Sequence, residues 1–77
     1  MCILTILQNL IKSELDSDSI IIREDMSIDE IEGWDSLTHL NIITMCEDKF
    51  KIRFTIDEII SLKYFKDWVT TIEKKIK

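Results

Sequence analysis

The chain lacks proline and has a single glycine and only two cysteines among its 77 residues. A chain of this length without a linker or an internal repeat fits one small domain, so residues 1–77 are predicted to form one domain. Cys2 and Cys46 are not part of a CxxC or His/Cys spacing, which argues against a zinc motif and a disulfide framework. Two lone cysteines favour a reducing compartment, and we expect a cytoplasmic protein.

Long hydrophobic runs are also missing. Polar Gln8 and Lys12 interrupt the apolar beginning of the chain too early for a signal peptide. No stretch reaches the length that a membrane-spanning helix needs. We therefore expect a soluble protein that does not use a membrane.

Positive charge is scarce in the first two-thirds of the chain. Residues 1–50 carry 3 Lys/Arg against 11 Asp/Glu, whereas residues 51–77 carry 7 against 4. Binding to nucleic acid depends on cationic neutralisation of phosphates, so no nucleic-acid partner is expected. The acidic part favours partner proteins with basic docking faces. The alternative is a solvated surface that only contributes to solubility.

Apolar residues recur at helical spacing in four segments, which predicts an all-α bundle of four helices, one of them short. The predicted helices cover residues 2–15, residues 36–50, a short segment that opens at Thr55, and residues 65–76. Thr55 and Glu58 fit a capping box. The cap of the last helix stays open, with Ser61 as a candidate. The predicted inward residues are Ile3, Ile6, Leu7, Leu10 and Ile11 in the first helix, Leu37, Leu40, Ile43 and Phe50 in the second, and Phe65, Trp68, Val69, Ile72 and Ile76 in the last.

A long connection covers residues 16–34. Residues 20–22 are three isoleucines that could form a short strand, but no partner strand is evident, so we interpret them as part of the connection. Ile28 and Ile31 are predicted to anchor it to the core. A loop of this length in a small domain is uncommon and is often functional.

The segment Gly33–Leu37 lies where this connection turns into the second helix. Asp35 is a favoured N-cap residue, because its carboxylate accepts bonds from the first unpaired backbone N–H groups. Ser36 is then the first helical residue, exposed and close to the positive end of the helix dipole. A phosphate carried on the Ser36 hydroxyl would be favoured there. The segment therefore indicates an attachment point.

This pattern resembles the acyl carrier protein family, whose members are four-helix phosphopantetheine-binding domains. The resemblance is carried by the long first loop, the Asp35–Leu37 triplet and the acidic pair Glu47–Asp48 before Phe50. A short helix that opens near Thr55 and a closing amphipathic helix complete it. The resemblance spans nearly the whole chain.

The resemblance implies a carrier that performs no catalysis itself and acts as a monomer. Ser36 would receive a 4′-phosphopantetheine arm from a phosphopantetheinyl transferase, and Asp35 would belong to the motif that this enzyme recognises. A loading ligase would attach an acyl or aminoacyl group to the arm as a thioester, and downstream acyl-using enzymes would act on it. Leu37 is expected to pack beneath the attachment point and brace the start of the helix.

The chain departs from the carriers of fatty-acid synthesis near Ser36. Those carriers have a small residue before the triplet, where this chain has Trp34, and they have acidic residues early in the second helix. The predicted docking residues here are Trp34, Thr38, His39, Asn41, Glu47 and Asp48. This face is only partly acidic, and the sequence Gly-Trp-Asp-Ser-Leu followed by His-Leu-Asn, residues 33–41, resembles stand-alone carriers of specialised pathways. The alternatives are a housekeeping fatty-acid carrier and an unmodified helical adaptor domain.

In the family, acyl chains enter between the second and third helices. The residues expected near that space are Ile28, Cys46, Phe54, Ile59 and Leu62. Phe54 is bulkier than the aliphatic residue common in the family, which predicts a short or polar cargo that stays exposed. The alternative is that Phe54 is a core residue of a repacked bundle.

Ser36 and His39 lie three residues apart on the predicted helix, which invites comparison with a nucleophile and its base. A hydrolase would also need an orienting acid, an oxyanion hole and a pocket, which so short a chain does not supply convincingly. We therefore expect no catalysis, a solvated or partner-facing His39 and a partly buried Trp34.

Overall fold

Four α-helices are seen in the computed structural model, which describes residues 2–76. Met1 and Lys77, which the predicted domain includes, lie outside the described residues. Helix α1 spans Ile3–Leu15, α2 spans Ser36–Phe50, α3 spans Ile56–Ser61 and α4 spans Phe65–Ile76. The predicted all-α bundle with one short helix is confirmed. Among these helices of residues 2–76, none combines the length and the apolar character that crossing a bilayer needs.

The helix ends follow local backbone chemistry. After α1, Asp16 adopts the left-handed conformation with a φ of 50° and its N–H donates to carbonyls of the last helical turn. After α2, Lys51 does the same with a φ of 58°. At the start of α3, the predicted capping box is present: the Glu58 N–H donates to Thr55 Oγ1 at 3.1 Å, and the Thr55 N–H donates to Glu58 Oε1 at 2.8 Å.

The core is formed by α1, α2 and α4 together with anchors from the connections. Its largest fully buried side chains are Leu7, Ile11, Ile42, Cys46, Phe65, Trp68 and Ile72. The predicted inward faces of α1 and α4 are therefore correct in their central residues. The exception in α4 is Ile76, which is 42% exposed because it lies at the end of the helix, beyond the packed turns.

The predicted inward face of α2 is correct at Ile43, which is 3% exposed, and wrong near the start of the helix. Leu37 and Leu40 were expected to face the core, but their side chains are 68% and 51% exposed. The buried face of α2 consists of Thr38, Ile42, Ile43 and Cys46. Apolar residues occur on two sides of this helix, and the side that repeats every four residues from Thr38 to Cys46 is the one that packs.

The long connection is ordered by a few inward residues. Ile31 is buried as predicted, Ile28 is half-buried, and Ile22, which was not predicted as an anchor, is 3% exposed. The Ile22 N–H donates to Gln8 Oε1 of α1 at 2.8 Å. A short 3-10 turn covers Ile28–Glu30, which the sequence analysis did not predict.

The same connection caps α4 through its backbone. The Phe65 N–H donates to the Met26 carbonyl at 2.9 Å, and the Lys66 N–H donates to the Glu24 carbonyl at 3.0 Å. Ser61, considered as a cap from the sequence, instead donates its hydroxyl within α3. The first unpaired N–H groups of a helix need acceptors, and here distant backbone carbonyls supply them.

Candidate functional site

The start of α2 is shaped by Gly33 and Asp35. Gly33 has a φ of +87°, a conformation that side-chain-bearing residues rarely adopt, and it turns the chain into the helix. Asp35 is the N-cap, and its Oδ1 accepts the Thr38 N–H at 2.8 Å. This hydrogen bond from the Thr38 backbone lowers the pKa of the Asp35 carboxyl below its usual value. The cap predicted from the sequence is therefore confirmed.

Ser36 is exposed and is the first residue of α2. Its position places the hydroxyl beside the first turn, where the unpaired N–H groups of a helix concentrate partial positive charge. A negatively charged group on the Ser36 hydroxyl is electrostatically favoured at such a position. The local chain thus provides an accessible nucleophilic oxygen in surroundings that suit a phosphate.

A cleft of about 590 Å³ lies beside Ser36 and is open to solvent. Its walls come from the 3-10 turn, from α2 and from α3 with the residues that follow it. The lining side chains are Ile28, Asp29, Trp34, Asp35, Ser36, His39, Leu40, Ile59, Ile60, Leu62 and Lys63. A mostly apolar cleft next to an exposed hydroxyl is suited to hold an apolar group that is attached there.

The rim of the cleft carries charge of both signs. Lys63 Nζ lies 3.6 Å from Asp29 Oδ2, and both side chains are more than half exposed. Exposed ion pairs of this kind contribute little to stability. Asp29 and Lys63 both line the cleft, which stays open to solvent.

The predicted pocket residues fall into two groups. Ile28, Ile59 and Leu62 line the cleft beside Ser36, whereas Cys46 and Phe54 do not. Cys46 is fully buried, and burial raises the pKa of its thiol to about 12. Phe54 is half-buried, with the Lys75 ammonium 5.7 Å from its ring centre. Cys46 and Phe54 are therefore not part of the cleft lining, which other side chains form.

The predicted docking face differs from the expectation at Thr38 and His39. Thr38 is wrong as a surface residue, because it is 8% exposed and lies on the buried face of α2. His39 was expected to be solvated or partner-facing, but its ring is half-buried and bonded inside the protein. The expected partial burial of Trp34 is confirmed.

Asn41 and Glu47 also make contacts within the protein. Asn41 Nδ2 donates to Glu14 Oε2 of α1 at 2.8 Å, which ties α2 to α1. Glu47 Oε2 accepts the Phe54 N–H at 2.9 Å, which fixes the connection between α2 and α3. Among the six predicted docking residues, Asp48 is the one that is exposed.

His39 connects α2 to α3. The Trp34 Nε1–H donates to His39 Nδ1 at 3.3 Å, and His39 Nε2 lies 2.9 Å from the Ile59 carbonyl. An indole N–H can only donate, so Nδ1 accepts and Nε2 carries the proton that is donated to Ile59. Both ring nitrogens are therefore engaged away from Ser36, and the two side chains are not arranged as a nucleophile and its base.

Exposed apolar residues surround the site. Leu37 was predicted to pack beneath the attachment point. This is wrong, because Leu37 is 68% exposed. Leu40 lies on the same side of α2 and is also exposed. On α3, Ile56 and Ile60 are 75% and 77% exposed. Leu40 and Ile60 line the cleft but were not predicted to do so. Leu40 lies four residues after Ser36, and this helical spacing was the signal that it shares a face with the serine.

Two solved structures have a similar fold. The solution NMR structure of the holo acyl carrier protein from Geobacter metallireducens is similar with a TM-score of 0.89 and 34% sequence identity, covering 99% of this chain and 87% of that chain. The crystal structure of an acyl carrier protein from Thermotoga maritima has a TM-score of 0.82 at 22% identity, covering 94% and 84% respectively, and is similar in fold. No protein-family model and no curated protein sequence matches this chain.

Proposed function

Because this chain belongs to the acyl carrier protein family, we propose that residues 1–77 form a single carrier domain whose Ser36 carries a 4′-phosphopantetheine arm. The observation that carries the proposal is the exposed Ser36 hydroxyl at the first position of α2, beside an apolar cleft. The arm supplies a terminal thiol that holds an acyl or aminoacyl group as a thioester. The residues that surround the arm all come from this chain.

The residues near Ser36 fit such a group. The start of α2 favours the phosphate of a phosphodiester, for the same electrostatic reason that any helix start favours an anion. Asp35 holds the first turn in place through its bond from the Thr38 N–H. In this proposal, the exposed Leu37 and Asp35 are read by the transferase that modifies Ser36.

Tethering is the physical benefit of a carrier. A group attached to Ser36 reaches the active site of any enzyme that has docked the carrier, so its effective concentration there is high without further binding energy. We propose that a loading ligase and downstream acyl-using enzymes dock on this side of the protein. The acidic character of residues 1–50 supports partners with basic faces, since charge of opposite sign accelerates association.

The exposed side of α2 near Ser36 supports a specialised pathway over fatty-acid synthesis. Leu37 and Leu40 are exposed there, and the acidic side chain of Asp48 lies toward the other end of the helix. A partner protein that docks near Ser36 contacts the apolar side chains of Leu37 and Leu40 first. Measurement of acyl transfer to the holo-protein by fatty-acid synthase enzymes tests this point. Rates typical of their own carrier would favour the housekeeping alternative.

Intact mass spectrometry tests the attachment site. Co-expression with a broad-specificity phosphopantetheinyl transferase is expected to add one phosphopantetheine to the wild-type chain and none to Ser36→Ala. Ser61→Ala is the matched control, because Ser61 is another exposed serine on a helix of this protein and its variant should still be modified. An unmodified wild-type chain would favour the adaptor alternative, and a modified Ser36→Ala would place the arm elsewhere.

A further inference from the structure

The hydrogen bond between His39 and α3 lies at the wall of the cleft. His39, Trp34 and Ile59 all line this cleft together with Ser36. The His39 ring bonds to the Ile59 carbonyl and packs edge-on against the fully buried Trp68, with ring centres 5.3 Å apart. The His39 side chain is thereby packed against the core at Trp68 and hydrogen-bonded to the backbone of α3 at Ile59.

Apart from this bond, helix α3 has one apolar side chain packed against the core, the half-buried Ile59. None of its six residues, Ile56–Ser61, is buried, and Ile56 and Ile60 are largely exposed. Its second polar tether is the ion pair between Glu58 and Lys75 of α4, at 2.8 Å. The cleft already has walls from both α2 and α3. A group that passes deeper between these helices, beyond the His39 ring, has to separate the Ile59 carbonyl from His39, and a carbonyl without a hydrogen-bond partner in an apolar environment is unfavourable.

We propose that His39 is a specificity-determining residue that holds α3 against α2 and confines the cargo to the open cleft. The inference rests on the proposed attachment at Ser36 and deepens it by naming the cargo class. Short acyl groups are accommodated in the cleft with α3 in place. Long alkyl chains gain no buried site, because entry to the interior requires the His39 bond to open.

Trp34 has a positioning role in this arrangement. Its Nε1–H donates to His39 Nδ1, which leaves the proton on Nε2 and points that nitrogen at Ile59. Its ring also stacks edge-on with Trp68 at 6.0 Å between centres, so the indole is itself fixed by the core. Removal of the indole N–H should weaken the hold on α3 while the aromatic packing remains.

The test uses the chain loaded at Ser36 from acetyl- and decanoyl-coenzyme A by a broad-specificity transferase. Intact mass first checks the loading. The rate at which hydroxylamine cleaves each thioester is then measured relative to its rate with the matching acyl-coenzyme A, and all rates below are these relative rates. In the wild type, both thioesters should be cleaved at equal relative rates. In His39→Ala, the decanoyl thioester should be cleaved about fivefold more slowly than the acetyl thioester, because the chain enters the interior and reacts only when the protein opens.

Two further variants distinguish loss of the His39–Ile59 hydrogen bond from a general loosening of the protein. His39→Gln keeps a side-chain donor for the Ile59 carbonyl and should restore equal cleavage rates. Gln8→Ala removes a tertiary hydrogen bond of 2.8 Å between α1 and the long connection and should behave as the wild type. If His39→Ala does not fold, Trp34→Phe is used in its place, and slower cleavage of its decanoyl thioester is expected.

Three results would overturn the inference. They are slower decanoyl cleavage already in the wild type, equal rates in every folded variant of His39 and Trp34, and slower decanoyl cleavage in Gln8→Ala. A chain that gains no mass at Ser36 contradicts the proposed function instead, so the two failures are distinguishable.

Discussion

Helices α3 and α4 follow one another in the chain, separated by residues 62–64, and they are held in place by different forces. Helix α4 buries Phe65, Trp68 and Ile72 in the core. Helix α3 has no buried residue: its half-buried Ile59 packs against the core, and His39 and Lys75 hold it through polar contacts. Hydrophobic burial dominates in α4, whereas polar contacts carry a larger share in α3. The helix that faces the proposed attachment site across the cleft is therefore the one that polar substitutions can release.

Replacement of an isoleucine by alanine, made once in α4 and once in α3, should give the largest difference in the free energy of unfolding. Ile72→Ala in α4 removes a fully buried side chain and should lower the free energy of unfolding by about 2–5 kcal/mol. Ile60→Ala in α3 removes a side chain that is 77% exposed and should change it by less than about 0.5 kcal/mol. Urea denaturation followed by circular dichroism measures both. Equal effects would contradict the contrast between the two helices.

If Ile72→Ala is too unstable to study, Ile72→Val provides a milder test. It should cost about 0.5–1.5 kcal/mol, because it deletes one buried methylene group. The same change at position 60, Ile60→Val, is the matched control and should have no measurable effect on unfolding.

The capping box is the next largest contribution to α3. Thr55→Ala removes the hydroxyl that accepts the Glu58 N–H and should destabilise the helix by about 1 kcal/mol. Amide hydrogen exchange at Ile59 and Leu62, whose N–H groups donate to carbonyls of this helix, should become about fivefold faster. Exchange in the centre of α4 should not change. A uniform acceleration in both helices would show that α3 does not open separately.

The smallest expected effect concerns the ion pair between Glu58 and Lys75. A double-mutant cycle with Glu58→Gln and Lys75→Met should give a coupling free energy below about 1 kcal/mol, because both groups are partly solvated. The hydrogen bond from Lys75 lowers the pKa of the Glu58 carboxyl, followed by the bond from the Thr55 backbone.

This pKa shift has a defined consequence for stability. The carboxylate is favoured in the folded state, so its contribution is present above the unfolded pKa, near 4.5, and is lost as the pH falls through the lower folded value. Unfolding measured between pH 3 and pH 7, a range of about four units around this value, should depend less on pH in Lys75→Met than in the wild type. An unchanged pH profile would contradict the assignment.

The local part of the site could be predicted from the sequence. Asp35 as the cap and Ser36 as the first helical residue depend on backbone groups within one turn, and the structure has the Asp35–Thr38 bond where it was expected. The same holds for the capping box at Thr55. Capping is decided by a few neighbouring residues, so the relevant interactions are visible in a short stretch of chain.

The side of α2 that faces the core could not be predicted in the same way. Leu37 and Leu40 have the spacing of a buried stripe, and so do Ile42 and Cys46, because apolar residues lie on both sides of this helix. The choice between the two sides depends on which one the other helices cover. This choice is made by tertiary packing, and the periodic pattern of a single helix does not reveal it.

The role of His39 depends on a partner that is distant in sequence. Its acceptor is the Ile59 carbonyl, 20 residues away, and any backbone carbonyl can serve as an acceptor. A lone histidine on a helix therefore has no local signal that distinguishes an internal tether from a docking residue. The burial of Thr38, which was expected on the surface, was missed because it depends on which side of α2 the other helices cover.

The backbone bonds at the start of α4 have a consequence for the order of folding. The acceptors for the N–H groups of Phe65 and Lys66 come from residues 24–26, which precede α2, so these bonds form only after that segment has been brought back to the end of the chain. Closing so long a loop costs chain entropy before any contact compensates for it. We therefore expect the first turn of α4 to form late in folding, after the helices that precede it.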